Sequence, residues 1–456
     1  MDTRKSGPRR LIFGAVLGTL VTAVVSAGPA HAADGPLGPP PGDTGPVRTS
    51  EPAPPLSAEE TALLRRQDAM LPAAQSLAEQ SRADGTDIAG VEIDVPGSIV
   101  HVYRTDPGQP LRLPQPPPEG VRVEVHQASV DRPTMTRVAT RITQDAQGLA
   151  DDGVLVQSTG PAVDGSGVTV AVAVRQPGAD SAELEHASQV LHRRYGTAIG
   201  EVRGVVRPET YQGDFFQGIR FNDLPGWWGG DRISRVEGDT RISCTTGFPA
   251  VTSDNKPVML TAAHCGDVGA AFSNGPGSFG NFKPLGTVVL SDVDRDVAAI
   301  SVTSTENKIN VGSAEAPTQL PITGGWATPV VGQRLCQSGS FTGEVCGLRV
   351  VDTGVINCDL WFIGCLDWRG PLADVINTAG SGAFAAGHGD SGGPVYLRNS
   401  TGTGVTAMGL VSSVLTDTAA AKFPAFLPDT LLCPAPGGPP KKRCSSGFAF
   451  AHMPGH

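Results

Sequence analysis

Between Ser57 and Val206 the hydrophobic positions change period several times, and each change predicts an element. The stretch SAEETALLRRQDAMLPAAQSLAEQ, residues 57–80, carries apolar residues at helical spacing behind Ser57 and Glu60, the Ser-x-x-Glu pattern of a capping box. It predicts a first helix. The runs GVEIDV, SIVHVYR and VRVEVHQ follow as strands, and a polar-apolar helical segment covers Thr134 to Ala146. The order then recurs. GVLVQS and GVTVAVAV read as strands, SAELEHASQVLHRRYG as a helix and EVRGVV as a strand, an α+β domain with a weak internal duplication. No residue pattern in it points to catalysis.

After Pro208 the texture changes. YQGDFFQGIRFNDLPGWWGGDRIS mixes aromatic and glycine residues as irregular connections do, and beyond it short β-like runs are separated by Gly, Asn, Asp and Ser. PVMLTAAH, LGTVVLS, DVAAISV, GLRVVDTGVI, GPVYL and VTAMGLVSSVL are examples. Many short strands with turn signals predict a β-barrel or sandwich.

The N-terminal end belongs to neither region. Arg4, Lys5, Arg9 and Arg10 precede an apolar, small-residue run from Leu11 to Ala30, which ends in Ala30-His31-Ala32. This is the pattern of a secretory signal peptide over residues 1–32. Arg9-Arg10 leaves twin-arginine export open beside the Sec route. Residues 33–56 are rich in Pro and Gly and form a disordered tether. No later run is long and apolar enough to span a bilayer, so the expectation is a secreted, extracellular protein without a stable membrane anchor.

At 39% hydrophobic and 18% charged residues, a chain of 456 can build more than one core. The net charge of -10 supplies no basic field to collect phosphates, which argues against nucleic-acid binding. All 8 cysteines lie at or after Cys244. An even number in an exported chain predicts disulfides, and local spacing favours Cys244–Cys265, Cys336–Cys346, Cys358–Cys365 and Cys433–Cys444. Each closes a short loop, worth on the order of 2–4 kcal/mol. Metal binding is disfavoured because no Cys-x-x-Cys pair or His-rich partner segment accompanies them.

Candidate chemistry centres on GHGDSGGPVY, where Ser391 sits among glycines next to Asp390. Such a stretch is also what a tight turn looks like. A serine hydroxyl becomes a nucleophile only when a base takes its proton and a third group orients that base. Among the 9 histidines, His264 in LTAAHCG lies in the β-rich half before the serine and beside a cysteine. SDVDRDVAAI offers Asp292, Asp294 and Asp296 as orienters, and Asp296 stands directly against the apolar run Val297 to Ile300.

LTAAHC, RDVAAI and GDSGGPV occur in the order His, Asp, Ser, and together they resemble the chymotrypsin-type serine proteases. ISCTTGFPAV, LCQSGSFTGEVCG and WWGGDRIS are similar to segments of the secreted bacterial streptogrisin and alpha-lytic branch. The resemblance covers Gly226 to the C-terminus. It implies an all-β catalytic domain of two six-stranded antiparallel β-barrels over residues 221–456, preceded by an α+β prodomain-like domain over 57–220. It implies His264 as base and acid, Asp296 as its orienter, Ser391 as nucleophile, and the backbone N–H groups of Gly389 and Ser391 as the oxyanion hole. Asp390 would brace the loop. A prodomain of that branch assists folding and inhibits until cleaved, and the stretch 221–230 is the expected junction.

Departures from the pattern set further expectations. Where that branch often has an Arg to pair the buried aspartate this chain has Gln337, which leaves Arg334 and Arg349 as substitutes. Gly387 stands where a pocket cysteine is common, and Ala385 where trypsin-like members carry Asp, so a preference for Lys or Arg is not supported. Ser412, Ser413 and Val414 resemble the strand that pairs with the substrate backbone; Val414 would narrow the pocket toward small or medium apolar residues. His388 is expected at the rim. INCDLWFIGCLDW looks like an added disulfide-tipped hairpin, its aromatics either a satellite core or a substrate contact. The mechanism implies no cofactor and no metal, protein or peptide substrates, and a monomer. Two rivals stand beside it: a catalytically silent binding protein on a protease scaffold, and a secreted esterase that recruits Asp417 or Asp429 with His452 in the order Ser, Asp, His.

Overall fold

A computed structural model describes residues 55–113, 115–174, 182–206, 220, 223–237, 240–274, 283–314, 316–361, 364–379, 383–415, 431–432 and 443–453. The expected signal peptide and nearly all of the tether lie outside the described residues.

Helix α1 (Ala58–Gln80) starts where the capping box places it: Ser57 Oγ accepts from Glu60 N at 3.1 Å and Glu60 Oε2 accepts from Ser57 N at 2.9 Å. Its buried stripe of Gln67, Met70, Leu71, Ala74 and Leu77 packs on β1 (Ile88–Asp94) and β2 (Ile99–Arg104), whose alternate residues face the helix. β3 (Arg122–Gln127) runs parallel to β2 at the edge of this three-stranded sheet. A second unit follows with α2 (Arg132–Gln144), α3 (Ala146–Asp151), β4 (Val156–Pro161), β5 (Val168–Val174), α4 (Ala182–Tyr195) and β6 (Ile199–Val206). Both units lay down an antiparallel pair and then a parallel strand, β1–β2–β3 and β4–β5–β6, so the duplication read from the sequence recurs in topology.

The β-rich half begins with β7 (Trp227–Gly229), β8 (Arg232–Glu237), β9 (Thr240–Thr245), β10 (Pro249–Val251) and β11 (Pro257–Thr261). It continues with β12 (Ala271–Asn274), β13 (Lys283–Asp292), β14 (Val297–Ser301), β15 (Thr305–Gly312) and β16 (Pro317–Gly324). The strands β10-β11-β14-β13-β12-β8-β9 form a curled seven-stranded sheet, a half-barrel. Next come β17 (Arg334–Gly339), β18 (Gly343–Trp361), β19 (Gly364–Asn377), β20 (Ala386–Gly387), β21 (Pro394–Arg398) and β22 (Val405–Val414). The last are β23 (Leu431–Leu432), β24 (Arg443–Ser445) and β25 (Gly447–His452). β17, β18, β19, β25, β22 and β21 close on one another as a six-stranded barrel. No helix among the described residues is long and apolar enough to cross a membrane.

The two halves share a core and a sheet. Met70, Leu77, Val100 and Val102 belong to the same cluster as the barrel residues Leu335, Leu348, Val395 and Phe450. Gln67 acts as a surrogate strand, donating to the Arg334 carbonyl at 2.8 Å and accepting from Arg334 N at 2.6 Å. At the other end β4 pairs with the long β18–β19 hairpin, Thr159 opposite Ile356 and Ser158 opposite Asn357. Ile356 and Trp368 of that hairpin pack against the core of the second N-terminal unit. Trp368 is thus part of a packed cluster; Trp361 and Phe362 lie outside the described side chains.

Candidate active site

The turn that carries His264 follows β11, and two constraints fix it. Cys244 on β9 is bonded to Cys265, and Cys265 N donates to the Ala262 carbonyl at 3.2 Å. Asp296 ends the β13–β14 turn at φ +56, a left-handed conformation uncommon outside glycine. That turn aims its carboxylate inward, where His264 N donates to Oδ1 at 2.9 Å and His264 Nδ1 lies 2.9 Å from Oδ1 and 2.8 Å from Oδ2. The Asp296 side chain is 0% exposed and that of His264 24%, so the imidazole reaches solvent while its carboxylate partner does not.

Burial by itself would raise the Asp296 carboxyl. The facing His264, its hydrogen bond, Arg369 and the Ser412 hydroxyl outweigh that and hold it down to about 2. Ser412 Oγ donates to Oδ2 at 2.5 Å and Arg369 Nη1 stands 3.9 Å from the same oxygen. Asp292 and Asp294 stay on the exposed side of the turn.

Ser391 lies in the turn between β20 and β21. Its carbonyl accepts from Thr245 N at 2.8 Å, and the Cys265 sulfur sits 4.0 Å from that carbonyl, which brings the histidine turn against the serine turn. Gly389 adopts φ +101, and a Cβ there would fall 2.1 Å from the Phe341 ring, so the position demands glycine twice over. The Gly389 carbonyl is pinned by Thr245 Oγ1 at 2.8 Å. Asp390 N, Gly392 N and Gly393 N are all committed to backbone carbonyls. Among the described residues, no hydrogen bond takes the N–H groups of Gly389 and Ser391.

Asp390 is fully buried, and its partners differ from those the sequence offered. Oδ1 accepts from Phe341 N at 2.9 Å and Thr342 N at 3.1 Å; Oδ2 accepts from Thr342 Oγ1 at 2.6 Å and Gly387 N at 2.8 Å. Arg334 donates instead to the Gly347 carbonyl, and Arg349 pairs with Glu92 of the N-terminal sheet. Gln337 acts one step away, with Nε2 2.9 Å from Thr342 Oγ1 and 3.0 Å from the Ala385 carbonyl.

Sequence reasoning missed Arg220. Its guanidinium is fully buried, with Nη1 donating to the Gly230 carbonyl, Ser338 Oγ and the Gly339 carbonyl at 3.0–3.2 Å and Nη2 to the Gly312 carbonyl at 3.0 Å. Burial lowers its pKa, against the pull of Tyr396, Asp231, Glu344 and Asp390. Gly339 in turn abuts Asp390, whose Oδ1 lies 2.0 Å from where a Gly339 Cβ would sit. Arg220, at the expected boundary, thus packs inside the β-rich half. Only a lone arginine in an irregular aromatic-glycine stretch marks it in the sequence.

The remaining predicted residues separate. Ala385 is fully buried and Val414 packs on the same cluster, so both help to build the wall behind the site. His388 is exposed at the rim. Ser412 has a contact the sequence did not offer: its hydroxyl is turned into the core toward Asp296, which leaves the expected backbone pairing of its strand untouched. Ser413 is half-buried opposite Ala449. Cys336–Cys346 forms as expected, and Cys358 and Cys444 are also disulfide-bonded. Their expected partners Cys365 and Cys433 lie outside the described side chains, as do Asp417 and Asp429 of the esterase reading. Desolvation, with Arg82, Arg132 and Arg295 adding to it, lowers the His452 imidazole to about 3.

Residues 238–428 match the trypsin family model. No curated protein matches the chain. Solved structures similar to it include a Nocardiopsis protease, with 19% identity over 50% of this chain and 91% of that one at a TM-score of 0.31. Protease A of Thermobifida fusca has 21% identity over 49% and 90%, TM-score 0.31, and an alpha-lytic protease homologue, N4, has 23% over 42% and 94%, TM-score 0.29. Through residues 238–428 the β-rich half of this chain is thus similar to the trypsin family of serine peptidases.

Proposed function

We propose that the protein is a secreted serine endopeptidase, made as a precursor, that cleaves peptide bonds through Ser391, His264 and Asp296. The observation that carries this reading is the two-oxygen grip of buried Asp296 on His264 Nδ1, which leaves Nε2 for the serine turn beside it. His264 Nε2 takes the proton of Ser391 Oγ as that oxygen attacks the scissile carbonyl. The tetrahedral oxyanion is received by Gly389 N and Ser391 N, and the imidazolium gives its proton to the leaving amine. A water then repeats the sequence on the acyl-enzyme. Asp296 stays ionised throughout and stabilises the imidazolium.

The N-terminal half acts as an intramolecular partner of the barrel. Support comes from the shared core around α1 and from the β4–β18 pairing, which give the barrel a partner while its own non-local strand pairings, slow to form, assemble. Arg220 and Asp223, whose N–H is held by Asn274 Oδ1 at 2.8 Å, belong to the catalytic half, so processing falls N-terminal to Arg220 rather than in 221–230. The pocket, walled by Ala385 and Val414, favours small or medium apolar side chains.

A fluorophosphonate probe tests the reading. It is expected to label Ser391 in the exported protein and to fail on His264→Ala, and the N-terminal sequence of any processed product is expected to retain Arg220. A folded protein that resists labelling would favour a binding protein on the same scaffold.

A further inference from the structure

The face of the N-terminal sheet turned away from α1 carries a second cluster that the peptidase chemistry does not use. Val100 and Val102 of β2 point into the core beneath α1, so the strand alternation sends His101 to the opposite face. Parallel pairing sets Glu124 of β3 beside His101 and His126 beside Tyr103, which brings both β3 side chains to that same face. His101 Nδ1 is 2.9 Å from His126 Nε2 and 3.9 Å from Glu124 Oε2, and the three donor atoms all lie within 4.8 Å of one another.

We propose that His101, Glu124 and His126 form a binding site for a divalent transition metal of the zinc class. Bonds of about 2.0–2.2 Å from one tetrahedral ion place its ligand atoms roughly 3.3–3.5 Å apart. The observed 2.9 and 3.9 Å straddle that spacing. Two imidazoles and one carboxylate suit zinc, cobalt or nickel, whereas calcium and magnesium take oxygen ligands. A bond between two neutral imidazoles also explains 2.9 Å, but it gives Glu124 no part. Glu124 is nonetheless oriented: Arg122 Nη1 holds Oε1 at 3.2 Å, and Oε2 is the oxygen that faces His101. Glu92, opposite His101 on β1, is committed to Arg349 at 2.8 Å and leaves three protein ligands. The His101 and Glu124 side chains are 21% and 39% exposed, which gives water access to a fourth position. The ion would clamp edge strand β3 to β2 across the one parallel pairing of this sheet, whose connection, residues 105–121, contains no helix among its described residues.

The test is titration of the tag-free, full precursor bearing Ser391→Ala with Zn(II) and with Co(II), read by calorimetry and by the visible cobalt spectrum, with thermal unfolding in parallel. Saturable binding, a cobalt spectrum of low symmetry and a higher unfolding temperature with zinc are expected. His101→Ala and His126→Ala are each expected to weaken binding by more than the roughly 10–100-fold that an outer-shell partner costs, and a further His264→Ala is expected to leave it unchanged. Absence of saturable binding to the parent precursor overturns the proposal. Binding that survives both β2 and β3 histidine variants, or that disappears only with His264→Ala, overturns it equally.

Discussion

Asp296 and Asp390 are both fully buried, and the protein satisfies them by opposite means. Around Asp296 stand groups that carry or can acquire positive charge, His264 and Arg369, with one hydroxyl from Ser412. Around Asp390 the direct donors are neutral: two backbone N–H groups of the Phe341–Thr342 turn, the Thr342 hydroxyl and Gly387 N. Arg220 acts one layer out, through the carbonyl of Gly339. The contrast separates two tasks. On the proposed mechanism, Asp296 holds a charge ready for a proton that arrives on His264 during reaction, whereas Asp390 fixes the shape of a turn whose N–H groups must point one way.

Substitutions break that comparison from either side. The largest effect is expected from Asp296→Asn, which keeps the shape but loses the charge: kcat on a peptide substrate should fall by about 10⁴ while circular dichroism stays native. Gly389→Ala comes next, because the Phe341 ring blocks the Cβ and the left-handed backbone resists it. Loss of the properly aimed donor should lower kcat by about 10²–10³ with little change in KM. Thr342→Val removes the 2.6 Å donor from Asp390 Oδ2 and should cost about 1–3 kcal/mol in denaturant unfolding, the penalty of an underserved buried acceptor.

The smallest effect concerns pH. Since the folded Asp296 carboxyl lies at about 2 and the unfolded one near 3.9, its contribution to stability is full above the unfolded value and is lost as pH falls from there through the folded one. Arg369→Met removes one of the groups that depress it. The acid-unfolding midpoint, followed by circular dichroism, should move up by less than about one pH unit.

What the sequence could and could not reveal follows the same division. The histidine, aspartate and serine segments are legible because each is a short local pattern, and α1 is legible because its cap and stripe are local too. Asp390's partners are not: backbone N–H groups carry no residue signature, and Arg334 and Arg349, the arginines visible nearby in the sequence, bind elsewhere while the turn at Phe341 holds the carboxylate. The strand pattern around Ser412 gives no sign of its side-chain contact: the pairing of β22 with β25 shifts register between Val411 and Ser413, and the hydroxyl turns to Asp296. Strand β4 starts later than GVLVQS predicts because Gly153 still closes the turn after α3, its N–H bound to the Ala150 carbonyl. The joining of the two halves through β4 and β18 depends on edges nearly 200 residues apart in order, which no local period encodes.

On the proposed mechanism the Asp296–His264 pair activates Ser391 as the nucleophile. Casein hydrolysis by the purified exported protein, run beside Ser391→Ala with intact mass read on both, tests it most directly. Hydrolysis and loss of the N-terminal half are expected in the parent alone, with activity in Ser391→Ala lower by about 10⁶. Equal hydrolysis by the two proteins, with Ser391→Ala processed like the parent, would contradict it.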